Sequence, residues 1–325
     1  MVTESMKASM KKRTTEPKHL PGWNIGVAIV APGGYAPDDA AMLRGIALLE
    51  EQGCQVRNYY EPAGKYQRFG GSDIARIAQI HAAARDPDVH IVMALRGGYG
   101  LSRILPDLNF GMLAESGKLF VGHSDFTAFH LGLLARTGAI SFAGPMLCED
   151  FTREDTSQFT MNDFWTCVSR PVHEVLMPTN GNPATSVSGR LWGGNLAMLI
   201  HLLATPFFPH IDGGILVLED VNEHPYRVER MMLQLLHAGV LSRQKAVLFG
   251  DFSGYRLSEY DNGYDFSAML AYLRSRVPGP LLTGLPFGHV RNKITLPIGC
   301  QAELVSDEHS VRLFLREYPV LRVHS

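Results

Sequence analysis

Cysteine is scarce in this chain. Cys54, Cys148, Cys167 and Cys300 are far apart and form no CxxC pair. A disulfide framework or a zinc site is therefore not expected, and a reducing, cytoplasmic address fits best. Charge of one sign is also lacking. Thirty basic against 32 acidic side chains leave a net charge of -2, which gives no field for nucleic acid or an anionic membrane. No apolar run approaches the roughly 18 residues of a membrane-spanning helix. The nucleotide signatures GxxxxGK(S/T) and GxGxxG are missing, and so are the spacing and glycine of a calcium loop. The opening MVTESMKASMKKRTTEPKHLPGW is basic and polar, without the apolar core of a secretory signal, so residues 1–22 are expected to be a mobile tail.

What is present is an ordinary globular composition, 46% hydrophobic and 19% charged, over 325 residues, enough for two domains each with its own core. NIGVAIVA reads as a buried strand that ends at Pro32-Gly33-Gly34. PDDAAMLRGIALLEEQG follows with apolar residues at helical spacing, acids in the first turn and Gly53 as a stop. The alternation continues through CQVRNYY, SDIARIAQIHAAARDPD, VHIVMALRGGYG, KLFVGHS, a helix from about Asp125 to Arg136, and AISFAG. Strands alternating with helices imply a parallel sheet covered on both faces, with ligands beyond the carboxyl ends of its strands. Residues 23–165 are read as this α/β domain and residues 151–170 as a helix leaving it. Residues 166–187, rich in Pro, Asn, Gly, Thr and Ser toward their end, are expected to be a linker. A second domain, 188–325, is less regular and closes on two alternating segments, KITLPIGCQAELVSD and SVRLFLREY, that read as an antiparallel pair.

Three places could carry chemistry. Ser124, in VGHSDFTAFHLGLLARTG, sits on the turn between a strand and a helix. It is either a helix cap or a nucleophile held at the end of the sheet; the pattern G-H-S-D-F departs from the GxSxG elbow at the second glycine. The RGGYG turn is either a tight turn or a set of backbone donors preorganised for developing negative charge. Glu219-Asp220, in LEDVNEHPYRVER, end an apolar strand, either as a solvated strand end or as functional acids. Among thirteen histidines, His289 stands out, because it lies on a Pro/Gly-rigid loop away from any apolar stripe.

VAPGGYAP, ALRGGYG, GHSDFTA, GRLWGGNLAML, LVLEDVNEHPYRVERMMLQL and GLPFGHVRNKITLPIG occur in that order. The ordered set resembles the LD-carboxypeptidase family of serine peptidases, from about residue 24 to residue 317. The resemblance implies a flavodoxin-like parallel-sheet N-terminal domain and a smaller β-rich C-terminal domain, with no metal and no cofactor. It implies a triad of Ser124, Glu219 and His289, the last two in the C-terminal domain, so that the site lies at a domain interface. It places the oxyanion donors at Gly97, Gly98 and the backbone N–H of Asp125. His123 departs from the aromatic residue, such as Tyr, that relatives often carry there. The implied partner is a murein tetrapeptide, cut between meso-diaminopimelate and the terminal D-Ala in peptidoglycan recycling, and the implied assembly is a homodimer. A terminal carboxylate calls for a cation, for which Arg96, Arg227 and Arg291 are candidates. Tyr99 is a further candidate for substrate contact.

Rival readings separate on named features. Immunity-type peptidases of the same family act on peptidyl or aminoacyl nucleotides and need an aromatic residue for the base, a role open to Tyr255 or Trp192. A non-catalytic muropeptide-binding protein has no need of Ser124, Glu219 and His289 together. A glutamine amidotransferase-like domain needs a cysteine where Ser124 stands.

Overall fold

The computed structural model describes residues 24–179 and 181–322. The tail expected at 1–22 lies outside the described residues. The first sheet is built from β1 (Ile25–Val30), β2 (Cys54–Asn58), β3 (Ile91–Ala94), β4 (Leu119–Gly122) and β5 (Ser141–Ala143). Its order is β2-β1-β3-β4-β5, all parallel, with β11 (Leu296–Ile298) added antiparallel beside β5. That is the doubly wound 2-1-3-4-5 order, whose switch point lies between β1 and β3. β1, β3, β4 and β5 are buried at every position, which is why they read as continuous apolar runs rather than alternating ones.

The helices of this half start and stop where the sequence signals lie. α1 (Asp39–Glu51) is capped by Asp38, whose carboxylate accepts from Ala41 N–H, and α2 (Asp73–Arg85) is capped by Ser72 in the same way. Two short helices follow, α3 (Leu101–Ile104) and α4 (Phe110–Glu115). α5 (Thr127–Thr137) follows β4 after a single 3₁₀ turn over Ser124–Phe126. The helix read over 151–170 is α6 (Gln158–Ser169), capped by Ser157. The acids and threonines before it belong to a separate π-helical turn at Leu147–Phe151 and the loop after it.

The second sheet has order β10-β9-β8-β7-β12-β13-β6. Its parallel part is β7 (Thr185–Asn195), β8 (Ile215–Val221), β9 (Ala246–Ser253) and β10 (Leu281–Leu282). Helix α7 (Leu196–Leu202) follows β7, α8 (Pro225–His237) follows β8, and α9 (Phe266–Arg276) lies between β9 and β10. Its antiparallel part is β12 (Gln301–Ser306), β13 (Ser310–Arg316) and β6 (Val172–Pro178). Residues 166–187, expected to be a linker, contain the end of α6, the edge strand β6 and the start of β7. The alternation of buried His173, Val175 and Met177 with exposed neighbours is a strand pattern; the turn-forming residues are confined to the stretch after Pro178. The segment ITLPI likewise divides from the closing hairpin and joins the first sheet as β11. The chain therefore crosses between the two sheets again after His289, and the buried apolar residues form one cluster from Ile25 to Tyr318.

Candidate active site

The elbow after β4 holds Ser124 at a φ of 61°. A non-glycine residue there is strained, and such strain persists only where the surroundings over-determine it. The surroundings are tight. A β-carbon on Gly97 would stand 2.7 Å from Ser124 Cβ and 2.8 Å from its Oγ, so only glycine lets the RGGYG backbone pass so close to the serine. Asp125, buried, accepts from Leu101 N–H at 3.0 Å and so stitches that turn onto the elbow. Burial pushes its carboxyl up, against the Leu101 hydrogen bond. Ser124 itself is partly exposed, and Gly98 and Tyr99 are exposed at the same mouth.

Glu219 comes from β8, next to a point where the β8–β9 register shifts between Leu218 and Asp220. Such irregularities re-aim side chains next to active sites. Its carboxylate is 1% exposed. Oε2 pairs with His289 Nδ1 at 2.8 Å, and Oε1 accepts from Asn195 Nδ2 at 3.1 Å. Burial opposes the Glu219 charge, but the hydrogen bonds from His289 and Asn195 hold its carboxyl below the usual glutamate range. Burial also opposes a charged His289, and Glu219 overrides it, raising the imidazole above its ordinary value. Gly288 makes the approach feasible: at φ 122°, a β-carbon there would meet Glu219 Oε2 at 2.8 Å.

Asp220 shares the Asn195 Nδ2 donor with Glu219, and its two oxygens accept from Ala197 N, Val221 N and Asn195 Nδ2. It is buried, so the solvated-strand-end reading of this acid pair does not apply. Burial and the neighbouring Glu219 push its carboxyl up to about 6.

The two halves meet at the elbow. The His123 and His289 rings pack edge-on with centroids 5.2 Å apart, which brings the imidazole of the second half beside the turn that carries Ser124. Thr127, in the first turn of α5, accepts from Asn195 N–H at 3.0 Å through its Oγ1. Among the described residues no hydrogen bond joins Ser124 Oγ to His289. Beside the rings lies a cluster the sequence reading did not single out: buried Lys293 and Asp150, with Glu149 near them. The only sequence signal was an acid pair, CED, between apolar residues and a lone lysine before ITLPIG. Asn195 had a clearer one, a GGN turn entering a helix, read only as a helix start.

The substrate-contact candidates separate. Arg227 is bound to Glu223 and Arg291 to Asp155 at 2.9 Å, both on the surface. Tyr99 packs against Phe69 and lies under the Arg68 guanidinium. Arg96 lies against Gly34 at the switch point, half-buried, and carries no ion pair among the described residues. The cysteines are unpaired, and burial pushes the Cys54 and Cys148 thiols up to about 12. No described helix is long and apolar enough to cross a membrane.

Fold and site define an α/β protein with a strained serine at a strand-to-helix turn and, packed against the neighbouring His123, a buried carboxylate–imidazole pair. Comparison with known proteins gives the family. The LD-carboxypeptidase N-terminal domain matches residues 27–144 and the LD-carboxypeptidase C-terminal domain matches residues 188–304. The probable murein peptide carboxypeptidase of Bacillus subtilis (strain 168) is 30% identical over 285 residues, covering 87% of this chain and 89% of that one. The murein tetrapeptide carboxypeptidase of Pseudomonas aeruginosa is 31% identical over 291 residues, covering 86% and 92%. The crystal structure of muramoyltetrapeptide carboxypeptidase from Oxalobacter formigenes superposes with a TM-score of 0.88 at 52% identity, over 91% of this chain and 100% of that one. The microcin C7 self-immunity protein MccF superposes at 0.83 with 20% identity, over 92% and 97%, a likeness of fold alone. The chain belongs to the LD-carboxypeptidase family, and it is a peptidase.

Proposed function

We propose that this protein is a serine carboxypeptidase that removes the terminal D-Ala from murein tetrapeptides, with Ser124 as nucleophile, His289 as base and Glu219 as its orienting partner. The observation that carries the reading is the 2.8 Å pair between His289 Nδ1 and buried Glu219, set beside an elbow serine in a strained conformation. With Nδ1 held by Glu219, Nε2 is the imidazole nitrogen left for the serine proton, and catalytic hydrogen bonds commonly tighten only once substrate is bound. The Ser124 oxygen attacks the diaminopimelate carbonyl as His289 takes its proton. The carbonyl oxygen takes up the negative charge, facing the backbone N–H groups at Gly97, Gly98 and Asp125. His289 then returns the proton to the D-Ala amine, the C–N bond breaks, and an acyl-enzyme remains for water to hydrolyse. Arg96, a cation beside Gly34 with no ion pair among the described residues, suits the terminal carboxylate that a carboxypeptidase must hold.

The test is D-Ala release from the free murein tetrapeptide, followed by mass spectrometry, with Ser124→Ala beside the wild type. Release by the wild type alone, with tripeptide as the other product, is the expected result. Release by both proteins would remove Ser124 from the mechanism. Release by neither, from folded protein, would move the substrate to aminoacyl nucleotides or leave a muropeptide-binding protein.

A further inference from the structure

A buried cation stands beside the candidate base. Lys293 lies on the same loop as His289 and is 2% exposed. Its ammonium is 2.9 Å from Asp150 Oδ1 and 2.9 Å from His123 Nε2. An ammonium has three donors and no acceptor, so His123 Nε2 must be the acceptor. The ring proton of His123 is then on Nδ1, and that nitrogen is buried without a hydrogen-bond partner. The carboxylates of Glu149 and Asp150 lie farther from Nε2, at 3.5 and 3.7 Å. A proton on Nε2 would face the ammonium directly and lose the shortest contact the ring makes.

We infer that His123 is a positioning residue for the base: Lys293, anchored by Asp150, fixes it as the neutral Nδ1–H tautomer, so that an uncharged ring packs against His289. The consequence is electrostatic. His289 must become an imidazolium during each acyl transfer, and a second imidazolium at 5.2 Å would oppose that step. An uncharged, sterically fixed ring holds His289 toward Ser124 without that opposition. The ionisable groups around His123 are Lys293 and His289 from its facing loop, Glu149 and Asp150 from the π-helical turn, Glu219 from β8 and His130 from α5. His130 is itself held neutral: burial lowers it to about 4, and it is bonded to Ser141 and to the Gly122 carbonyl. The two carboxylates lie farther from Nε2 than the ammonium does, so Lys293 is what decides the tautomer.

The positioning role rests on the reading of His289 as the base. The tautomer does not, and the two are read separately by long-range proton–nitrogen NMR on the full chain. In wild type at about pH 7, His123 is expected to show a protonated Nδ1 and a bare Nε2, while His289 titrates in one step. An Nε2–H tautomer of His123 or a two-step His289 curve overturns the proposal without any variant being made. In Lys293→Met, the His123 ring is expected to lose the fixed Nδ1–H tautomer and to show an Nε2–H signal, its Nε2 being left with Glu149 and Asp150 as neighbours. With the ring no longer fixed against His289, kcat for D-Ala release is expected to fall by about tenfold to a hundredfold with KM little changed. A folded Lys293→Met protein whose kcat is that of wild type overturns the positioning role.

Discussion

Ser124 and His289 are each set by one neighbour more than by their own chemistry. Ser124 is held at φ 61° by the close passage of Gly97, and His289 is charged more readily than a free histidine because Glu219 outweighs the burial that opposes it. A base must be neutral to work. With its value raised, activity on tetrapeptide falls as pH drops through a point above the ordinary histidine range, which is about 6.5. Glu219→Gln removes the charge that raises it. The expected outcome is a kcat lower by about a thousandfold to ten-thousandfold and an acid limb of kcat/KM shifted to lower pH. An unshifted limb in a pH–rate profile would take Glu219 out of that role. Arg96 is different in kind, because a cation for the substrate carboxylate acts on ground and transition state alike. Arg96→Met is expected to raise KM by about tenfold to a hundredfold with a smaller change in kcat, measured by steady-state D-Ala release.

Ser124 follows β4 and Glu219 lies near the end of β8, while His289 sits on the loop between β10 and β11. The parallel part of the first sheet was legible in the sequence: β1, β3, β4 and β5 are continuous apolar runs, and helix starts and stops such as Asp38, Ser72 and Gly138 are local signals. The second sheet was less legible because its parts are joined through distant pairing. β6 looked like a linker because the Thr, Asn, Gly and Pro after it dominate the composition; the same distance hid β11, the antiparallel strand of the first sheet, which looked like part of a hairpin because its partner, β5, lies far back in the chain. Site residues quoted in motifs, such as Ser124, Glu219 and His289, could be named in advance; Asn195, Lys293 and Asp150 could not, because their roles come from burial against residues remote in sequence. Thr127 is an element-scale link of that kind, joining the first turn of α5 to the backbone of Asn195, which in turn holds Glu219. Thr127→Val keeps the shape and deletes the hydroxyl, leaving the Asn195 N–H buried and unpaired. A loss of about 1–3 kcal/mol in urea unfolding is expected, with a lower kcat. Stability lost with kcat untouched would confine Thr127 to a structural role.

At the scale of the whole molecule, the two halves are tied together by a buried ion pair as well as by a shared core. Asp150 belongs to the first half of the chain and Lys293 to the second, and their charged atoms are 2.9 Å apart at 3% and 2% side-chain exposure. Burial opposes ionisation of Asp150, but the His123 and Lys293 neighbours bring its carboxyl down to about 2. A carboxyl held below its unfolded value stabilises the fold at every pH above that unfolded value, near 4, and loses the contribution as pH falls through the folded value. The window is therefore about pH 5 down to about pH 2, and the contribution at stake is about 2 kcal/mol. Glu219, also held low, has the same sign. Asp220, pushed up to about 6, has the opposite sign, costing stability as pH rises from about 4 toward 6, so the Asp150 contribution is read by difference, against a variant that lacks the pair. Removing one member leaves a buried charge alone. Lys293→Met is expected to destabilise by about 3–5 kcal/mol at neutral pH, while Asp150→Asn combined with Lys293→Met is expected to recover a large part of that loss. Urea unfolding of the wild type, the single variant and the pair at about pH 3 and about pH 6 measures this. The wild type should lose stability between the two values more steeply than the double variant. If the double variant shows the same acid slope as the wild type, the acid sensitivity comes from carboxylates elsewhere, and the pair is not what holds the two halves against low pH.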